Sequence, residues 1–375
     1  MGAEVNPSRV TIISSERSWI EGEAVQQLKR AAQLAGACMA VGMPDLHPGR
    51  GYPVGAAIVT ESVVYPHLVG NDIGCGMGLW QSTLKVRKVK TDQLLKRLRG
   101  LEGPWEGDLA DWILRCGIPA THYDSALGTI GGGNHFAELQ AVDRVEDPVL
   151  AEALGLDEQQ VFLLVHSGSR GLGESILRAH AERDGTNGLP EGSDACREYL
   201  EQHDLAVNWA QANRGLIARR FFEALGTEGR SVLDITHNSV SSKVIDSRPY
   251  WIHRKGAAPS DAGPVVIPGS RGTYTFVLAA KGDHRATAYS LAHGAGRKWN
   301  RTFAKERLRT RFTPEVLSQT KIGSRVICDD RDLLFEEAPD AYKNIEDVVK
   351  DMEDFGLVKT IARMRPLVTY KVRHS

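Results

Sequence analysis

Three apolar runs in this chain end the same way. VFLLV (161–165) runs into HSGSRGLG, SVLDI (231–235) into THNS, and PVVI (264–267) into PGSRGT. Each reads as a buried strand that empties into a polar loop rich in glycine and serine. Loops at strand ends are where phosphates and catalytic groups collect, because the scaffold fixes them while the loop leaves them accessible. Whatever this chain folds into, it has to bring those strand ends together around one shared site.

A fourth stretch, VGNDIGCGMGLW (69–80), sets a carboxylate, Asp72, and a thiol, Cys75, three residues apart among glycines. A core strand gains nothing from those glycines, which supply no side chain to pack. A surface turn has no use for the cysteine. Helical periodicity is clear in 21–35 and in 203–225, where Leu205, Trp209, Ala212 and Leu216 share a face. The same spacing predicts helices over 174–184, 297–310 and 345–354. No internal repeat, low-complexity tract or Pro/Ser-rich linker divides the sequence, so its 375 residues read as one continuous domain, 1–375.

No segment approaches the length of a membrane span. The first twenty residues carry Glu4, Arg9, Glu16 and Arg17 and lack the apolar centre of a signal peptide. Five cysteines without CxxC pairs, an odd and sparse set, point to a reducing cytoplasm. A net charge of −1 gives no hint of nucleic acid, but charge is unevenly placed. RKWNRTFAKERLRTR (297–311) holds seven basic residues against one Glu, and 329–354 is strongly acidic. The pair reads either as two solvated helix faces or as a phosphate-facing basic stripe beside a polar cap.

Asp72, Cys75, His135 (in GGGNHF), His166 and His237 are the candidate metal ligands. One histidine in such a loop is more often structural; five donors in equivalent loops argue for ligation. A carboxylate, a thiolate and three imidazoles suffice for two adjacent cations if one ligand bridges, and thiolate suits that role. No zinc-finger spacing is present, which points to a catalytic site with open positions. Affinity order alone favours Zn²⁺ over Mn²⁺ with these donors, so ligand type leaves the ion open. Four glycine loops (128–135, 166–173, 268–273 and 293–301) can turn backbone N–H groups towards phosphate, and Arg170, Arg271 and Arg297 stand inside them. None has Walker A or dinucleotide-fold spacing. His293, before GAGR and at the expected start of the basic helix, reads either as a capping or core residue or as a nucleophile that can hold a nucleotidyl group as a phosphoramidate.

MPDLHPGRGYPVG (43–55), GNDIGCGM, GGGNHF, HSGSRG, ANR (212–214), HRKGA (253–257), PGSRGT and HGAGR stand in one order along the chain. Together they resemble the RtcB-type RNA ligases, and the closing PLVTYKVR is similar to that family's ending. The resemblance implies an α+β fold, a single domain with central mixed β-sheets flanked by helices around a two-metal cleft. It implies a GTP- and manganese-dependent ligase that joins an RNA 3′-phosphate, or an opened 2′,3′-cyclic phosphate, to a 5′-hydroxyl. Asp72, Cys75, His135, His166 and His237 match its ligands for two Mn²⁺ ions, with Cys75 bridging. His293 matches the guanylated histidine and Asp45 the carboxylate beside it. Asn134 and Arg170 match phosphate contacts, Glu138 the acceptor from the guanine edge, and Lys371 a lysine near the base. Ser270 and Arg297 fall in nucleotide-contacting loops.

Two departures stand out. Arg50 replaces an aromatic where the family has a YGFPIG-like stretch, and GNDIGCGM is nearer to a divergent bacterial branch. That branch implies repair of cleaved ribosomal RNA with a release-factor-like partner; the wider family adds transfer RNA as a target and an archease-like partner, with no membrane. Two rival readings use the same residues. A binuclear phosphoesterase leaves His293 and Glu138 without a role, and a non-catalytic RNA- or ribosome-binding relic does not need the intact ligand set.

Overall fold

The computed structural model describes residues 10–373; Glu4 and Arg9 of the leader reading lie outside the described residues. Two mixed sheets dominate. The smaller runs in the order Val10–Ile12, Ala37–His47, Val54–Thr60, Arg248–Lys255, Asn238–Ile245, antiparallel except for its first pair. The larger runs Val265–Pro268, Thr275–Ala280, Val358–Tyr370, Phe136–Val145, Gln160–Ser167, Gly76–Lys85, Gly229–Thr236, with Arg325–Ile327 pairing parallel to Val358–Tyr370. This is the mixed-sheet α+β architecture expected from the sequence.

The continuous apolar run 161–165 is buried on both faces, which explains its lack of alternation. One face of the larger sheet is covered by a long helix, Asp194–Leu225, through Leu139, Leu163 and Val165 against Ile217, Phe221 and Leu225. Between the two sheets lies a core of Val41, Met43, Val59 and Ile252 from one and Ile235, Val265, Ile267, Phe276 and Leu278 from the other.

The long helix begins nine residues before the periodic stretch 203–225. Ser193 caps it by accepting from the Cys196 N–H at 3.2 Å, and Gly226 ends it in the left-handed region at φ 64°. Its first turns bury few side chains, Cys196 and Tyr199 among them, so the apolar period is thin there. The helix expected over 21–35 spans Gly22–Ala31, and that expected over 174–184 starts at Gly171. The helix expected over 345–354 spans Ile345–Asp354. The basic helix runs Arg301–Arg309, capped by Asn300, not from 297. His293 therefore does not open it. The residue follows the short strand Ser290–Ala292, and Arg297 to Trp299 form the intervening turn.

The candidate metal centre and its nucleophile

Asp72 and Cys75 sit in the turn before Gly76–Lys85, His135 directly precedes Phe136–Val145, and His166 is the last but one residue of Gln160–Ser167. Those strands are neighbours, and one row across them, Phe136–His166–Met77–Ile235, sets the register. The donors therefore emerge at a common edge. Cys75 Sγ lies 3.3 Å from His135 Nε2 and 3.2 Å from His166 Nε2, and Asp72 Oδ2 lies 2.8 Å from His135 Nε2. Donor atoms of Cys75, His135 and His166 fall within 4.8 Å of one another, close enough to hold a metal ion. His237 is the single residue between Gly229–Thr236 of the larger sheet and Asn238–Ile245 of the smaller. Its ring centroid is 5.1 Å from that of His166.

The electrostatics fit a cation. Burial, with the neighbouring imidazoles, pushes His166 and His237 far below the ordinary histidine value, so both are neutral, the ligating form. Burial and then the Asp72 carboxylate push the Cys75 thiol well up. Burial alone raises Asp72, yet His135, with Cys75 and Arg170, more than offsets it and the carboxyl ends below its usual value. Among the described residues, the buried His135 Nδ1 has no hydrogen-bond partner. A cation among these groups reverses the Cys75 shift, because ligation favours thiolate. Cys75→Ala is expected to weaken divalent-metal affinity by more than about tenfold, since losing even an outer partner of a ligand costs that much. Metal content by plasma mass spectrometry checks it, and wild-type occupancy in the variant would remove Cys75 from the centre.

Close backbone approach makes the cluster possible. A side chain at Gly131, φ +94°, would occupy the space of the Arg170 guanidinium, and one at Gly168 would collide with the Asp72 carboxylate. Residues of the ANR motif hold these loops from beneath. Arg214, fully buried, donates to Asp234, to Gly74 O at 2.8 Å and to Ser167 O at 2.9 Å. Asn213 accepts from Gly128 N–H at 2.8 Å and donates to Ser167 Oγ at 3.1 Å and Thr129 O at 3.2 Å. Asn238 joins two loops more, donating to Asp72 O at 3.0 Å and accepting from Gly256 N–H at 2.7 Å. None of these three had been assigned a role from sequence. For Asn213 and Arg214 the signal was a polar residue within a buried helical face, visible only once the face is known; Asn238 opens the strand Asn238–Ile245.

The other half of the site comes from the smaller sheet. Asp45, fully buried in Ala37–His47, accepts from His293 Nδ1 at 2.6 Å and from the His293 backbone N–H at 3.1 Å. With Nδ1 as the donor, the lone pair is on Nε2. The His293 ring centroid stands 4.7 Å from that of His237, which closes a row of rings from His135 through His166 and His237 to His293. Lys343 fixes the Asp45 segment by donating to Pro44 O at 3.0 Å and Leu46 O at 2.7 Å.

A cavity of about 1100 Å³ joins these halves, and every residue singled out from sequence lines it except Asp45, which lies behind His293. Glu138 is buried; burial raises its carboxyl to about 7 against hydrogen bonds from Thr369 and Gln140. Lys371, lowered to about 8 by burial, donates to His135 O at 3.0 Å. Asn134, exposed, receives a long contact of 3.5 Å from Arg301, and Ser270 uses its carbonyl to hold Thr273 in the loop. Arg170 precedes its helix at φ +57°; burial lowers its pKa, and Asp72 and Cys75 oppose that shift.

Arg297 lines the cavity with its guanidinium held by protein neighbours. It donates to Trp299 O at 2.9 Å, Glu337 at 2.9 Å, Tyr342 Oη at 3.1 Å and Glu336 O at 2.8 Å, so its guanidinium is engaged within the protein. Glu337 had not been singled out. Burial would raise its carboxyl, but Lys371, Arg297 and Arg301 hold it down to about 2. The charged runs are divided between two roles. Lys305 and Arg309 pair with Asp332, and Arg297 and Arg301 with Glu337, while Lys298 and Arg307 lie against the Trp299 ring.

Comparison with known proteins agrees with this geometry. A sequence model of the tRNA-splicing ligase RtcB family matches residues 27–102 and 119–372. An Escherichia coli protein, RNA-splicing ligase RtcB2, is 48% identical over 373 residues, covering 99% of this chain and 98% of its own. RNA-splicing ligase RtcB of Mycobacterium tuberculosis is 32% identical, covering 87% of this chain and 95% of its own. For tRNA-splicing ligase RtcB of Archaeoglobus fulgidus the values are 32%, 93% and 91%.

Proposed function

This chain belongs to the RtcB family of RNA-splicing ligases, and from that premise we propose that it seals RNA breaks through a histidine-linked guanylate. The substrates are an RNA 3′-phosphate, or a 2′,3′-cyclic phosphate after opening, and a 5′-hydroxyl, with GTP as the nucleotide. The observation that carries this reading is the His293–Asp45 pair, 2.6 Å apart, whose imidazole abuts His237 of the donor cluster. A phosphoesterase has no use for a cavity-lining imidazole backed by a buried carboxylate.

His293 Nε2 attacks the α-phosphorus of GTP; the N–P bond forms as the bond to the β-phosphate oxygen breaks and pyrophosphate leaves. Asp45 keeps the proton on Nδ1 and stabilises the imidazolium character that develops. An oxygen of the RNA 3′-phosphate then attacks the same phosphorus, releasing His293 and giving an RNA end capped by GMP through a pyrophosphate. The 5′-hydroxyl attacks the RNA phosphorus of that linkage and GMP departs. Asp72, Cys75, His135, His166 and His237 would hold two Mn²⁺ ions, which would supply charge neutralisation at phosphorus. Asn134 and Arg170 orient the phosphates, Ser270 and Arg297 shape the nucleotide loops, and Glu138 with Lys371 reads the base.

On the same reading the chain acts as one domain in the cytoplasm, on broken ribosomal or transfer RNA, with a release-factor-like or archease-like partner. The test is incubation of the protein with α-³²P-GTP and Mn²⁺, then a denaturing gel. An acid-labile radioactive band supports the reading; no band with any nucleotide or divalent metal turns it towards the phosphoesterase or the RNA-binding relic.

Glu138 adds a pH signature. Only the ionised carboxylate accepts from both N–H groups of the guanine edge, and burial raises its pKa to about 7. GTP affinity is therefore expected to rise between pH 6 and pH 8, as the acid loses its proton. Glu138→Gln should weaken GTP binding about tenfold or more at pH 8 and flatten that rise. Isothermal titration at several pH values checks it; an equally steep profile in the variant would exclude Glu138 as the acceptor.

A further inference from the structure

A second concavity of about 310 Å³ opens beside the main cavity and shares His47, Pro48, Arg297 and Asn300 with it. Its character differs. Trp19 is 54% exposed and Phe303 43%, in a chain that buries Trp209, Phe162 and Phe221. Trp299 meets Phe303 edge-on with centroids 5.7 Å apart. Arg307 lies 5.0 Å from the Trp299 ring and 5.7 Å from the Phe303 ring, and Lys298 Nζ is 5.2 Å from Trp299. Its helix neighbours Lys305 and Arg309 pair with Asp332, whereas the structure sets Arg307 against rings. Glu21 and Glu23 line the groove as well.

We propose that this groove holds unpaired nucleotides of the RNA strand next to the break. The assignment rests on the ligase reading above. Exposed rings flanked by cations form a platform on which any base can stack, because every base has a π-face. A duplex hides those faces, so the groove selects single strand. Glu21 and Glu23 repel phosphate, which directs the backbone along Lys298 and Arg307. Continuity with the main cavity fixes what lies beyond. His47 Nδ1 is 2.8 Å from Asp45 O, so a base stacked here is adjacent to the His293–Asp45 pair.

The test uses fluorescence anisotropy with a labelled single-stranded RNA hexamer, in one arm carrying a 3′-phosphate and in the other a 5′-hydroxyl. Because Trp19 and Phe303 are exposed, the double variant Trp19→Ala/Phe303→Ala keeps the fold, and Trp19→Phe/Phe303→Tyr keeps the rings. The first is expected to lose about thirtyfold or more in affinity, with labelling by α-³²P-GTP unchanged, and the second to stay within about threefold. Loss in one arm alone supports the groove and assigns it to that strand. Hexamer affinity within about twofold of wild type in both arms overturns it, even where the guanylate adduct forms. A wild-type protein that takes no GMP, yet loses RNA affinity with the rings, overturns the ligase reading and leaves the groove standing.

Discussion

His293→Ala is expected to abolish both the guanylate adduct and RNA sealing, while divalent-metal content stays near wild type. His293 is the one imidazole of the row whose Nδ1 is held by a buried carboxylate; its neighbours cluster around Cys75. Removing the attacking nitrogen leaves no group with the same reach, so the loss is complete. Among the described residues, Asp45 then keeps only the backbone 293 N–H, its Oδ1 having no partner there, and the fold weakens by about 1–3 kcal/mol. His293→Gln, whose amide can still donate towards Asp45, should recover much of that stability and none of the activity. Gel autoradiography, ligation assays and denaturant titration read the three quantities. A persisting adduct in either variant would place the nucleophile elsewhere.

The largest structural effect is expected from Arg214. The side chain is fully buried, makes a forked pair with Asp234 and tethers the carbonyls of Gly74 and Ser167, one residue from Cys75 and His166 respectively. Truncating Arg214 strips Asp234, whose side chain is 21% exposed, of its partner and takes a donor from two buried carbonyls, at a cost of about 3 kcal/mol. Arg214→Ala should therefore unfold at markedly lower denaturant, and what remains folded should bind metal weakly. A loss under about 1 kcal/mol in urea titration would show that the pair is not holding the loops.

Local signals were legible where chemistry and backbone coincide. Strand ends emptying into polar loops marked His166 and His237, and a carboxylate and a thiol set among glycines marked Asp72 and Cys75, because a ligand presented without helix packing needs that local grammar. The start of the long helix was not legible, since a solvated turn capped by Ser193 carries little apolar period. Nor was the fate of the charged runs. Whether a basic helix faces phosphate or Asp332 depends on a packing 27 residues away along the chain, which no window of sequence contains. Arg214 and Glu337 were missed for the same reason, because their partners are remote in the chain.

His237 belongs to neither sheet and connects both. The thiol–imidazole cluster stands on the larger sheet, the His293–Asp45 pair is anchored on the smaller, and the packed layer of Val41, Met43, Ile252, Ile235 and Phe276 sets their separation. Reach between attacking nitrogen and ions is thus a property of how two plates are spaced, not of the residues at the rim. An overlarge side chain at Ile252 or Ile235, deep in that layer, wedges the plates apart. Such a chain retains every ligand and its nucleophile and still loses turnover, as a lathe with sound tools fails when its bed is warped.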